Sequence, residues 1–209
     1  MLYTDVIDPI LARVEGCPRA LVVDAMRNSC MDFCTRTRFL TTGVSVTLTG
    51  AEVPTFDLDT QVVDILEAKI TDKKVLVTFL NDPDAEADTL GAAGYDYAIR
   101  FTDPNNAEIT AADGQTAPSV ATPITVEMLI AIAPGPTSTE IHTDLWRKYS
   151  EALKHGALYR LYAEPNKVWS NPSSVGYHKD EFEEAIKDAS LEAGRNRIQP
   201  ARRLRVRTL

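Results

Sequence analysis

Few residues in this chain could do chemistry, and they are scattered: three cysteines, three histidines, one acidic run and two tryptophans. Cys30 and Cys34 stand one helical turn apart, the spacing of half a metal site. A closed site would need two further thiolate or imidazole ligands, and His142, His155 and His178 offer no companion spacing. The expectation is therefore reduced, packing thiols and no metal. Asp82, Asp84, Glu86 and Asp88 begin like a calcium loop, yet Ala87 replaces the turn glycine and Ala93 the bidentate glutamate. That run is expected to be a solvated connection. No glycine-rich phosphate loop, nucleophile elbow or His-Glu-x-x-His helix occurs. No spacing pairs a nucleophile with a base, so the chain is expected to be non-enzymatic and without a cofactor.

Charge is the stronger signal. Six arginines (Arg195, Arg197, Arg202, Arg203, Arg205, Arg207) and no acid occupy residues 195–209, leaving 16 basic against 30 acidic side chains elsewhere, a balance of −14. A general nucleic-acid binder would carry its basic patch on the body. Here an acidic body bears a basic arm that seeks something anionic. Leu204 and Val206 alternate with Arg203, Arg205 and Arg207, as a strand waiting for a partner edge would. No apolar run approaches a membrane span, and Asp5 and Asp8 interrupt any signal-peptide core, so export is not expected.

The elements that must carry these groups follow from periodicity. From Pro18 to about Arg38, Leu21, Val22, Ala25, Met26, Ser29, Cys30, Phe33 and Thr37 recur at three- and four-residue steps, which predicts an amphipathic helix. A shorter helix over about Pro9–Glu15 should stop at Gly16. The period then falls to two in Val44–Leu48, Val75–Leu80, Tyr95–Thr102 and Ile124–Ile132, with a further strand over Val62–Ile70. Turn clusters such as Asn81–Asp84, Asp103–Asn106 and Asp113-Gly114 separate them. Strands with no intervening helix predict an antiparallel sandwich or small barrel.

Pro134-Gly135-Pro136 closes that module. Ile141–Tyr162 is helical again, with Leu145, Tyr149, Ala152 and Gly156 on one stripe and Leu153, Ala157 and Leu161 on a second. Such a helix is either central in a bundle or shared between subunits. Gly156, poor in helix propensity, predicts a close neighbour. A last helix over about Lys179–Gly194 should end at Gly194. The predicted class is α+β: a helical bundle from residues 1–42 and 137–194, a β-sandwich or barrel-like insertion over 43–136, and an arm over 195–209. Trp146 reads as packing. Trp169 lies in a loop bounded by Pro165 and Pro172.

The helix and that loop carry a resemblance. Leu145-Trp146-Arg147-Lys148-Tyr149, then Ala152 to Tyr162 with its Gly156-Ala157-Leu158 core, then Pro165-Asn166-Lys167-Val168-Trp169-Ser170-Asn171-Pro172, and finally His178 with Phe182, resemble the head–tail adaptor (connector, or neck) proteins of tailed bacteriophages. Met31-Asp32-Phe33-Cys34-Thr35-Arg36-Thr37 occupies the place of that family's Glu-Phe-Cys-x-x-Thr turn, with Asp32 for the usual Glu. The β module is matched by position and strand content alone. The resemblance implies a virion protein made in the host cytoplasm, forming a ring, commonly of twelve copies, between portal and tail. Its partners would be the portal protein, a tail tube or nozzle protein, and genomic DNA that passes without specific binding. It implies a portal-binding arm comprising Arg195, Arg197, Arg202, Arg203, Leu204, Arg205, Val206 and Arg207. It also implies packing or subunit-interface roles for Leu145, Tyr149, Leu153, Gly156, Trp169 and Asn171. A nucleic-acid-binding accessory protein, using the arginine arm, is the alternative.

Overall fold

The computed structural model describes residues 1–48, 60–70, 73, 75–78, 94, 96–103, 106–111, 119 and 123–198. The chain divides into two compact units, Met1–Phe39 with Pro136–Leu209, and Leu40–Gly135. Helices build the first and strands the second, an α+β fold.

The helical unit opens with a 3-10 turn at Tyr3–Asp5 and a short helix, α1 (Asp8–Leu11), with Pro9 in its first turn. α1 is shorter than the periodicity of Pro9–Glu15 suggests. After Leu11 the chain proceeds by turns, Arg13 N–H donating to Ile10 O at 2.8 Å and Cys17 N–H to Val14 O at 3.0 Å. Gly16 takes φ +82°, a conformation glycine enters without a Cβ clash.

α2 (Arg19–Thr37) follows Pro18 and ends at Arg38, whose left-handed φ of 52° turns its N–H back to Cys34 O. It buries Val22, Ala25, Met26, Ser29, Cys30, Phe33, Cys34 and Thr37. The two hydroxyls on that stripe are satisfied within the helix, Ser29 Oγ donating to Ala25 O and Thr37 Oγ1 to Phe33 O, each at 2.8 Å.

α3 (Thr143–Tyr162) is capped by His142, whose Nδ1 accepts from Asp144 N–H. It is not one straight helix. Tyr149 has φ −124° and ψ 21°, and its ring is held between Phe33 at 4.7 Å and Phe39, edge-on, at 4.9 Å. The helix is kinked here, and no proline lies within it. Leu145, Leu153, Gly156, Ala157, Leu158 and Leu161 are buried in the unit itself. Of the two roles open to this helix, the structure assigns the centre of the bundle.

α4 (Pro172–Ile198) corrects the expected last helix at both ends. It starts seven residues earlier than Lys179, with Pro172 at a first-turn position where the missing N–H costs nothing. It also runs through Gly194, which does not take the left-handed conformation a stop requires. Beyond the buried Phe182, Ile186 and Ala189, Lys148 and Tyr149 both bond Glu192. Arg195 and Arg197 belong to α4, which corrects the arm expected from residue 195.

The second unit contains β1 (Thr41–Leu48), β2 (Thr60–Ile70), β3 (Val75–Thr78), β4 (Tyr97–Asp103), β5 (Asn106–Ala111) and β6 (Ile124–Pro134). One sheet has the order β1-β6-β2 and is antiparallel throughout. The other, β3-β4-β5, corrects the all-antiparallel expectation, because β3 and β4 run parallel. Eighteen residues separate Thr78 from Tyr97, enough for the crossover that a parallel pair needs. β5 was hidden by its start, since Asn106 reads as part of a turn but pairs with Asp103 across a tight reversal. Val62, Ile65, Ile70, Tyr97, Ile99, Val126, Met128 and Ile130 form the core of this unit. The run Asp82–Asp88 and the turns Asn81–Asp84 and Asp113-Gly114 lie outside the described residues.

Candidate functional site

The residues carrying the adaptor resemblance converge on the α3–α4 hairpin. At its middle Gly156 lets α4 approach closely: a Cβ there would lie 2.7 Å from Phe182 Cε2 and 3.0 Å from Ser29 Cβ. Beside this contact Arg160 of α3 reaches α2 through hydrogen bonds and α4 through the Phe182 ring, 5.5 Å from its guanidinium. Its Nη1 donates to Gly156 O at 2.7 Å and Ser29 Oγ at 3.1 Å, and its Nη2 to Asp32 Oδ2 at 2.8 Å. Its guanidinium also stacks over Tyr159, 4.5 Å from the ring centroid. Asp32, the variant residue of the Glu-Phe-Cys-like turn, is thus the carboxylate that meets Arg160. One turn on, Arg36 and Glu183 form a two-pronged pair at 2.7 and 2.5 Å. That pair holds the Glu183 carboxyl below its usual range and raises the Arg36 guanidinium.

The loop between α3 and α4 is built with equal care. Asn166 adopts a left-handed φ of 59°. Ser170 N–H donates to Lys167 O at 3.1 Å, Asn171 N–H to Tyr162 O at 3.2 Å, and Asn171 O accepts from Ser174 N–H at 3.0 Å. Asn171 therefore closes the loop with its N–H and starts α4 with its carbonyl. Tyr162 OH donates to Arg13 O at 3.2 Å, tying the loop base to the turn before Gly16. The result is a fixed projection with Val168 89% exposed at its tip. Arg13, Glu15, Tyr162, Val168, Trp169 and Asn171 are among the residues lining a cleft of about 440 Å³ at its foot. Trp169 is half-buried, with its Nε1–H covered and no acceptor for it among the described residues.

Chemically this cleft is suited to holding a partner. It offers aromatic faces from Tyr162 and Trp169, the Arg13 guanidinium, the Glu15 carboxylate and the Asn171 amide. The cysteines lie elsewhere, in the core. Burial pushes the Cys30 thiol up to about 12 and Cys34 well above its ordinary value, so both are neutral and unreactive at physiological pH.

Leu145, Leu153 and Gly156, expected in packing or at a subunit interface, are buried inside the helical unit. Tyr149, Trp169 and Asn171 are half-buried and partly available. Arg195 is exposed on α4. Arg202, Arg203, Leu204, Arg205, Val206 and Arg207 lie outside the described residues. Sequence reasoning missed the meeting of His155 and His178, whose Nδ1 atoms stand 3.3 Å apart across the hairpin. Twenty-three residues apart in sequence, they carry no spacing signal that could have paired them. No protein-family model matches this chain, and no curated protein matches it.

Proposed function

We propose that the chain is a structural virion subunit, a head–tail adaptor that assembles as a ring on the portal of a tailed bacteriophage. The observation that carries this reading is the α3–loop–α4 hairpin. The stretch of sequence resembling adaptors forms a single projection, tipped by exposed Val168 with the half-buried Trp169 ring at its foot. An exposed apolar tip is covered when a neighbouring copy packs against it, as it would be in a ring, commonly of twelve copies.

Two further properties support it. The helices are crossed by hydrogen-bonded ion pairs, Arg160–Asp32 and Arg36–Glu183, which suit a scaffold that must keep its shape under load. The acidic body, outside the arginine segment, would keep phosphate from adhering as DNA passes. The arginine segment would then bind the portal, and the opposite face a tail tube or nozzle protein. Electron microscopy and native mass spectrometry of the protein with and without its portal test the reading. A closed ring seated on the portal is expected. A small closed oligomer that ignores the portal, or tight duplex binding by the isolated protein, would favour the nucleic-acid alternative.

A further inference from the structure

A second constellation lies apart from the cleft. We propose that His155 of α3 and His178 of α4 form a two-histidine site for a divalent transition-metal ion of the zinc class, clamping the hairpin from helix to helix. The proposal does not depend on the adaptor reading.

Geometry carries it. Zinc binds imidazole nitrogen at about 2.0–2.1 Å with near-tetrahedral angles, so two such nitrogens stand roughly 3.3–3.4 Å apart in a finished site. The two Nδ1 atoms are 3.3 Å apart before any ion is considered. The rings cross at 69° with centroids 4.8 Å apart. Tyr177 packs against both, at 5.6 Å from His155 and 5.1 Å from His178, and Tyr162 lies 5.5 Å from His178. His178 is only 7% exposed and His155 half-buried, so the site is formed in advance and little side-chain freedom would be lost on binding.

The protonation state also fits. A metal takes the neutral imidazole, and burial lowers the proton affinity of both rings, with His155 lowering that of His178 further. The charged groups acting on the pair are Glu151 of α3, Glu181 of α4, and Arg13 from the turn before α2. The two carboxylates would offset part of the ion's charge, and Arg13 opposes it. In the metal-free state one Nδ1–H donates to the other Nδ1. Binding requires only that this proton move to Nε2 of its own ring, giving two Nε2–H tautomers with no net proton released. The described residues include no cluster of three or more His, Cys, Asp or Glu ligands, so water would complete the shell. Binding is accordingly expected to be weaker than at a closed structural zinc site.

Isothermal titration of ZnCl2 into untagged, EDTA-treated full-length protein at neutral pH tests this directly. One ion per chain is expected, together with a rise in melting temperature, because an ion held only by the folded hairpin stabilises it. Both effects should vanish in H155Q and in H178A, and persist when Cys17, Cys30 and Cys34 are all replaced by serine or alanine. H155Q, at the less buried position, keeps the test decisive if H178A does not fold. No one-to-one binding, or binding that survives H155Q with circular dichroism unchanged, would overturn the proposal.

Discussion

Phe182 lies so close to Gly156 that a methyl group added at 156 would sit 2.7 Å from its Cε2 and 2.8 Å from its Cδ2. The glycine costs about 1 kcal/mol of helix propensity against alanine, and the close approach of α3 and α4 offsets it. Gly156→Ala is therefore expected to destabilise the helical unit by about 1–3 kcal/mol, as overpacking does, despite alanine's better propensity. Shrinking Phe182 to Leu should relieve part of this. The double variant should lose less than the sum of the singles, read from urea unfolding midpoints. Simple additivity would mean that the clash is absorbed elsewhere.

Arg160→Met should cost about 2–3 kcal/mol, since it removes charge-assisted bonds to Asp32 and leaves Ser29 and Gly156 without their donor. Asp32→Asn, which keeps an acceptor oxygen, should cost less. Thermal unfolding of the two variants checks the order, and equal losses would contradict the bonding pattern.

Stability should fall as the pH drops from about 6.5, the ordinary histidine value. Burial depresses both His155 and His178 in the folded chain, so the unfolded chain binds more protons below that pH. Their contribution is fully present above the unfolded value and is lost as the pH falls through the folded ones. Glu151 and Glu183 are also depressed, by Lys154 and Arg36 hydrogen bonds, and their contributions disappear in a separate, more acid window below about 4.3. Denaturation midpoints between pH 7.5 and 5 should therefore flatten in a H155Q/H178N double variant and keep the lower acid limb.

Trp169→Ala removes a half-buried ring at the foot of the exposed Val168 tip. Assembly on the portal should weaken, measured by the fraction of ring in native mass spectra. If neither assembly nor fold changes, the loop is only a connection.

Deletion of residues 199–209 should leave the helical unit folded, because its buried residues lie before Ile198, and abolish attachment to the portal. Salt separates the two readings of the four arginines removed, Arg202, Arg203, Arg205 and Arg207. Four phosphate contacts would give a log–log slope of about −4 on duplex DNA, whereas an arm seated through backbone pairing and apolar contacts should respond less steeply. The shallow response is expected.

Much of the fold was legible before any coordinates, and for a common reason. Val22, Ala25, Met26, Ser29, Cys30 and Phe33 repeat at the helical period and are buried together in α2. Val126, Met128 and Ile130 repeat at the strand period and are buried together in β6. Gly156 announced a close neighbour, though not which one. Periodicity reports which face of an element avoids water, a local property written every few residues. It does not report what that face meets, nor in which direction. The alternation in β3 and β4 is the same for a parallel and an antiparallel pair, so their parallel register required the tertiary structure. Gly194 bears the local mark of a helix stop, yet α4 runs past it to Ile198. The pairing of His155 with His178 likewise depends on the α3–α4 hairpin closing. Their chemistry arises from distances between residues far apart in the chain, which no local pattern encodes.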